Sequence, residues 1–196
     1  MSRPFNVSDA EKLMNPLVTL IPLKYIDALS IFNSKLKDRN IEWAVSGNLG
    51  ETLRTVHVEP DGIDILTSKE GAKQIFQAVH EFNPHKLKWR TKMLSRPAVI
   101  GKEYPVKIRS YYFEFEITSI KVKVYGDLQI QIGDWEWGDK IEFEPNDILV
   151  LGQKISVAPL QLKYDLYRGL GWIDRAEEVL KVLSRKYNVR HRNKPL

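Results

Sequence analysis

The chain has 196 residues, 43% of them hydrophobic and 28% charged, which is enough for one domain, or one and a half, with a buried core. It contains no cysteine, which excludes disulfides and thiolate metal sites, and no apolar run approaches the roughly 18 residues of a membrane span. The N-terminus lacks the basic-then-apolar pattern of a secretion signal, so we expect a cytoplasmic protein without a membrane partner.

The net charge of +5 is concentrated in two basic segments. The first, residues 86–109, has eight basic residues and one acidic residue, Glu103. The second is the tail after Ser184, which has five basic residues and no acidic one. Basic segments can bind phosphate backbones, although chain ends are more often solvated. The sequence therefore leaves open a nucleic-acid partner that contacts the tail. The basic residues of the tail are Arg185, Lys186, Arg190, Arg192 and Lys194.

Helix and strand patterns alternate in the first part of the chain. Capping-box spacing at Ser8 predicts a short helix. Apolar residues at intervals of three and four predict a longer helix over 23–37. Strands are predicted over 41–46 and 63–66, and a second capping box predicts a helix over 67–82. Helices and strands are therefore interleaved here.

Apolar and polar residues alternate with a period of two from residue 87 onward, which is typical of half-buried strands. We expect a main domain over residues 1–125, and an extension over residues 126–196 that packs on it as one unit. The predicted fold class is α+β, a mixed sheet flanked by helices and extended by C-terminal strands and two helices. The predicted strands are 111–117, 120–124, 128–132, 140–143 and 155–157, and the predicted helices are 159–168 and 173–187.

Two tryptophans, Trp135 and Trp137, lie between Gly-Asp pairs at 133–134 and 138–139. Because side chains two residues apart lie on the same face of a strand, we expect both rings on one face. Such a pair can stack on a base, but it more often packs in a core or against a neighbouring subunit.

The segment 42–66 carries the clearest functional pattern. It predicts a strand, a turn flanked by Gly47 and Gly50, a short helix over 51–56 and a second strand that carries Asp64. A glycine turn that opens a helix presents backbone N–H groups that suit phosphate. An aspartate on the adjacent strand suits a divalent metal bound to that phosphate. The segment therefore predicts a cleft for a phosphorylated ligand.

This order of elements, with these residues, resembles the minimal nucleotidyltransferase domains of prokaryotes over roughly residues 23–124. The resemblance implies that residues 1–125 form a nucleotidyltransferase-like domain. In that superfamily a Gly-Ser turn contacts phosphates, while an Asp-x-Asp pair and a third carboxylate on a later strand hold two metal ions, usually magnesium. The metals hold a nucleoside triphosphate, and the enzymes transfer a nucleoside monophosphate to a hydroxyl group. Some minimal members act with a helical partner subunit, so an oligomer or such a partner stays open.

Three positions depart from that pattern. Asn48 stands where the superfamily has the serine of the turn, a mild change because an amide can still donate a hydrogen bond. The first metal aspartate falls on Gly62, and the neighbouring Asp61 points to the other face of a regular strand. The third carboxylate falls on Lys123, which we expect to face Asp64. One carboxylate opposite one ammonium has a formal charge of zero, whereas a metal cage needs concentrated negative charge.

Two hypotheses of different classes follow from these departures. In the first, the chain has lost metal catalysis, needs no cofactor, and keeps a cleft for a nucleotide or phosphate. In the second, it is an active transferase that uses Mg²⁺ and a nucleoside triphosphate, with Asp64 and Asp61 as metal-binding and catalytic residues and with Glu114 or Glu116 reaching in. The residues expected to contact phosphate are Ser46, Gly47, Asn48, Gly50, Arg54 and Lys123.

The direction of Lys123 separates these two hypotheses. If its ammonium group points at Asp64, the metal-free hypothesis is favoured. If Asp61 points at Asp64 and Lys123 turns away, the active hypothesis is favoured. A third, weaker hypothesis is a nucleic-acid-binding protein that uses the basic segments.

Overall fold

The computed structural model describes residues 21–95, 98–99 and 102–192, so the helix predicted at Ser8 lies outside the described residues. The described chain folds into helices packed around a mixed sheet. Its helices are α1 (Leu23–Leu36), α2 (Gly47–Thr52), α3 (Lys69–Ala78), α4 (Leu160–Gly169) and α5 (Ile173–Arg192), with a 3-10 turn at His80–Phe82. Its strands are β1 (Trp43–Ser46), β2 (Ile63–Thr67), β3 (Lys88–Ser95), β4 (Ala98–Val99), β5 (Lys102–Glu103), β6 (Val106–Ile117), β7 (Ile120–Ile132), β8 (Asn146–Val150) and β9 (Gln153–Val157).

Seven of these strands form one sheet in the order β3-β6-β7-β2-β1-β9-β8. Strand β2 pairs in parallel with β7, and β1 pairs in parallel with β9, while the other pairs of this sheet are antiparallel. The sheet is therefore mixed, and the predicted α+β class is confirmed. The C-terminal strands β8 and β9 extend the sheet beyond β1.

The two faces of the sheet have different characters. Every second residue of the central strands, such as Ile63 of β2 and Val122 of β7, is fully buried in the main core beneath α1 and α3. The alternate residues point to the other face. There the strand registers place Ser46 opposite Asp64, Asp64 opposite Lys123, and Lys123 opposite Glu114. One row of polar side chains therefore crosses four neighbouring strands.

Several of the predicted helix boundaries were wrong. Helix α2 begins at Gly47, because that residue alone makes the turn with a φ of +65°. Helix α3 is capped by the Ser68 hydroxyl, which accepts from the N–H of Gly71, because Thr67 is still the last residue of β2. Helix α5 continues through Arg192, beyond the end predicted near residue 187.

The strands predicted around Trp135–Trp137 and over 140–143 were wrong, because residues 133–141 form an irregular strap along β7 and no strand follows before β8. Backbone N–H groups of Trp135, Gly138 and Ile141 donate to carbonyls of β7. The strap separates the two tryptophans, which were predicted to share a face. The Trp135 side chain is 73% exposed, while the Trp137 ring packs 4.3 Å from the guanidinium carbon of Arg109. Among the described helices, none has the length and apolarity that crossing a membrane requires.

Candidate functional site

The turn after β1 is shaped by the carboxylate on the next strand. Gly47 has a positive φ of +65°, which residues with a side chain rarely adopt. A Cβ atom added to Gly47 would also overlap Oδ2 of Asp64. The Asp64 carboxylate therefore rests directly on the turn, and only glycine fits beneath it.

Lys123 faces Asp64 from the neighbouring strand. Its Nζ atom lies 3.6 Å from Oδ1 of Asp64, and both side chains are about three-quarters buried. This is an ion pair, but it is longer than a good hydrogen bond, and Oδ1 is buried without a hydrogen-bond partner among the described residues. Burial raises the pKa of Asp64 above its usual value, while Lys123 and Lys163 act in the opposite direction. The arrangement meets the sequence criterion that favours the metal-free hypothesis.

The other carboxylates proposed for a metal cage are hydrogen-bonded to other side chains, although Asp61 is close enough to Asp64 to interact with it electrostatically. Asp61 is turned to Asn48, whose Nδ2 atom donates to Oδ1 of Asp61 at 3.2 Å. Glu114 lies beyond Lys123 in the strand register and accepts a short hydrogen bond from the Tyr112 hydroxyl. Among the described residues, no three His, Cys, Asp or Glu side chains are grouped to hold a metal ion. In the described part of the chain, Asp64 is therefore not grouped with two further carboxylates.

Gly62 is closed to a carboxylate by the backbone of the next strand. A Cβ atom added there would lie 2.9 Å from the carbonyl oxygen of Lys121, closer than a side-chain carbon approaches backbone. Restoring an aspartate at this position would therefore need a shift between β2 and β7. The spacing of the two strands therefore leaves no room for a side chain at position 62.

We expect Gly62→Ala to lower the free energy of unfolding by about 1–3 kcal/mol, because the added methyl group overpacks against a backbone atom that cannot rotate away. Gly169→Ala is the matched control, since its Cβ would meet only Ile132 Cδ1 at an ordinary 3.5 Å. The control should change stability by less than about 1 kcal/mol. Urea denaturation of both variants makes the comparison, and equal effects would show that β2 and β7 are not closely spaced at Gly62.

The remaining predicted phosphate contacts divide into two groups. Ser46 and Gly47 line a cavity of about 140 Å³ beside Asp64. Gly50 instead lies within α2 and packs against β1, where its Cβ would lie 2.9 Å from the carbonyl oxygen of Val45. Arg54 is also directed elsewhere, because its Nη2 atom donates to the carbonyl of Val157 at 2.8 Å, on the other side of β1. The structure therefore brings Ser46, Gly47, Asp64 and Lys123 together but not Arg54.

A buried charge network beneath α2 had no signal in the sequence pattern. Glu51 is fully buried and accepts from Arg175 Nη2 at 3.0 Å and from the Tyr167 hydroxyl. Lys163 Nζ lies 3.7 Å from the same carboxylate, and burial lowers the pKa of this lysine. Arg175 also donates to Oδ1 of Asn48 at 3.1 Å. Because the partners are more than 100 positions apart, no local spacing could reveal them.

The fold and this site together identify the class of protein to which the chain belongs. The mixed sheet, the glycine turn after β1 and the aspartate on β2 are those of a nucleotidyltransferase-superfamily domain, as the resemblance of the sequence implied.

Within that class, the model of the aminoglycoside-2″-adenylyltransferase family matches residues 28–183, and the chain belongs to this family. The structure is similar to that of a protein from Thermotoga maritima provisionally assigned as a nucleotidyltransferase, with 30% identity and a TM-score of 0.63 over 84% of this chain and 96% of that one.

Two further solved structures are more distant. ANT(2″)-Ia in complex with adenylyl-2″-tobramycin is 11% identical, with a TM-score of 0.44 over 85% of this chain and 97% of that one. The lincosamide antibiotic adenylyltransferase LnuA, bound to lincomycin, is 9% identical, with a TM-score of 0.46 over 80% and 96%. No match was found among curated protein sequences.

Proposed function

We propose that this chain is a nucleotidyltransferase-fold protein without two-metal catalysis, and that its cleft binds a nucleotide or another phosphorylated ligand directly through lysine side chains. The observation that carries the proposal is the position of Lys123, whose ammonium group lies 3.6 Å from the single carboxylate of the site. A cation at the place of a metal ligand repels a metal ion and attracts a phosphate. In this proposal the protein therefore needs no cofactor.

The charges around Asp64 support the same proposal. Lys123 approaches from β7, and Lys163 approaches from α4, so that two ammonium groups act on one carboxylate. A triad of carboxylates would give this site a formal charge of minus three without metal, whereas Asp64 and Lys123 sum to zero and Lys163 is shared between Asp64 and Glu51. The cavity next to Asp64 is lined by Ser46, Gly47 and Lys163, which can donate hydrogen bonds to a phosphoryl oxygen. In this proposal Lys123 and Lys163 contact the anion, and Ser46 and Gly47 shape the floor.

Calorimetric titration of ATP and of CTP tests the proposal through the sign of the magnesium effect. We expect binding in the presence of EDTA, and weaker binding when Mg²⁺ is in excess, because bound magnesium cancels two negative charges of the triphosphate. Lys123→Met should weaken binding, whereas Lys37→Met, which removes an exposed charge beyond the other face of the sheet, should not. Binding that requires Mg²⁺ would overturn the proposal.

Adenylyl transfer is the second candidate function, and membership of an aminoglycoside adenylyltransferase family favours it. In this alternative Asp64 and Asp61 hold Mg²⁺, although Asp61 would first have to leave its hydrogen bond with Asn48. Incubation with ATP, Mg²⁺ and tobramycin separates the two functions. Magnesium-dependent release of pyrophosphate would establish the transferase, and we expect none.

A further inference from the structure

A second concave site lies on the same face of the sheet, over β3, β6 and β7. We call it the basic pocket, and its volume is about 260 Å³. Its charged lining consists of four cations and one carboxylate, contributed by three neighbouring strands. These residues are Arg90, Lys92, Lys121, Lys123 and Glu114.

Three cations of the basic pocket lie beyond ion-pair distance of every carboxylate that the structure describes. Within the part of the chain that the structure describes, Arg90, Lys92 and Lys121 form no ion pair. The Arg90 guanidinium instead stacks 4.8 Å from the Tyr112 ring. Glu114, the one carboxylate, is already engaged by the Tyr112 hydroxyl and lies 3.4 Å from His85 Nδ1. Glu114 and Glu116, which lies opposite Lys121 in the strand register, offset only two of the four cations, so the pocket keeps a net positive charge that attracts an anion from solution.

The basic pocket and the Asp64 cavity are adjacent. Tyr125 and Ile108 line both, and Lys123 lies between them, facing Asp64 on one side and the pocket on the other. The long separation of the Lys123–Asp64 pair leaves the ammonium group free to reach an anion in the pocket without breaking a good hydrogen bond. One ligand can therefore contact both sites.

We infer that the basic pocket binds the phosphoryl groups of the ligand without metal, and that Lys123 is shared between those groups and Asp64. The inference rests on the proposed function and deepens it, because it assigns the phosphates to Arg90, Lys92 and Lys121 in addition to Lys123. A pair of phosphoryl groups matches a pocket whose side chains, with Glu116 included, have a formal charge of plus two, whereas a single carboxylate would leave one cation without counter-charge. The volume is below the roughly 300 Å³ at which pockets for drug-sized molecules begin, which favours a compact anion.

Pyrophosphate is the probe for this inference, titrated calorimetrically in EDTA at physiological salt. The double variant Lys92→Met/Lys121→Met removes two cations that line the pocket but do not contact Asp64. We expect it to weaken pyrophosphate binding roughly tenfold or more, since each lost charge removes an attraction that acts over less than the screening length of about 8 Å at physiological salt. Lys37→Met is the control with the same chemical change on the far side of the molecule, and its effect should stay below about twofold.

The outcomes for the pocket and for the proposed function are distinguishable. If wild type binds ATP in EDTA but the double variant binds pyrophosphate as well as wild type does, the phosphates lie elsewhere and only this inference fails. If wild type binds ATP in EDTA but not pyrophosphate, this inference also fails. If ATP binds only with Mg²⁺ while the double variant loses metal-free pyrophosphate binding, the pocket stands and the proposed function fails.

Discussion

Glu51→Gln is expected to lower the free energy of unfolding by about 3 kcal/mol, the largest effect of a single conservative change in this chain. The Glu51 carboxylate is fully buried and is contacted by Arg175, Lys163 and Tyr167. Glutamine keeps the shape and one acceptor oxygen, but it leaves the two cations without their counter-charge in a poorly solvated place. The loss is therefore electrostatic and not a loss of packing. Urea denaturation measures it.

Glu178→Gln is the matched control for this prediction. Glu178 pairs with Lys181 at 2.6 Å on the surface of α5, with both side chains about half exposed. Exposed ion pairs contribute little because water and salt screen them, so this variant should unfold at the same urea concentration as wild type. If Glu51→Gln were as stable as the control, the buried network would not hold α4 and α5 against α2.

Opposite effects on metal-free ATP binding are expected from Lys123→Glu and Asp64→Asn. The first reverses a charge in the cleft and should weaken binding about 100-fold, because an attraction becomes a repulsion of similar size. The second removes the carboxylate that competes with the ligand for Lys123, and it should tighten binding several-fold. Calorimetry in EDTA measures both, and thermal melts confirm that each variant is folded.

A metal-dependent enzyme would respond in the reverse direction. There Asp64→Asn would abolish nucleotide binding, and Lys123→Glu would bring a second carboxylate to the metal and strengthen magnesium-dependent binding. Either result would overturn the metal-free proposal. Rebuilding a triad by adding Gly62→Asp is a poorer test, because the added side chain would be forced against the Lys121 carbonyl.

Elements with a strong periodic signal were predictable from the sequence. The two-residue alternation predicted β7 as a half-buried strand, and the resemblance to the superfamily placed Lys123 opposite Asp64, as the register shows. The fold class followed from the same alternation and from the helical spacing around α1. These features depend on which face a side chain takes, and that is a property of local sequence.

Features that depend on distances between remote segments were not predictable. The short gap between Gly62 and the Lys121 carbonyl is a spacing of two strands, and a glycine in the sequence does not reveal it. Arg54 was expected near phosphate, but the proximity of β9 gives its guanidinium the Val157 carbonyl as an acceptor. The strap at 133–141 was wrongly predicted because its backbone N–H groups donate to carbonyls of β7, and such contacts with another segment leave no local pattern in the sequence.

The separation of Glu51 from its partners also has a consequence for the order of events during synthesis. The chain emerges from the ribosome N-terminus first, and the Tyr167 hydroxyl that binds Glu51 follows 116 residues later. Strand β1 likewise has one unpaired edge until β9 has been synthesised. For most of translation the nascent chain therefore has a Glu51 carboxylate without its partners and an unpaired edge on β1. The cleft is complete only after α4 and α5 have been synthesised.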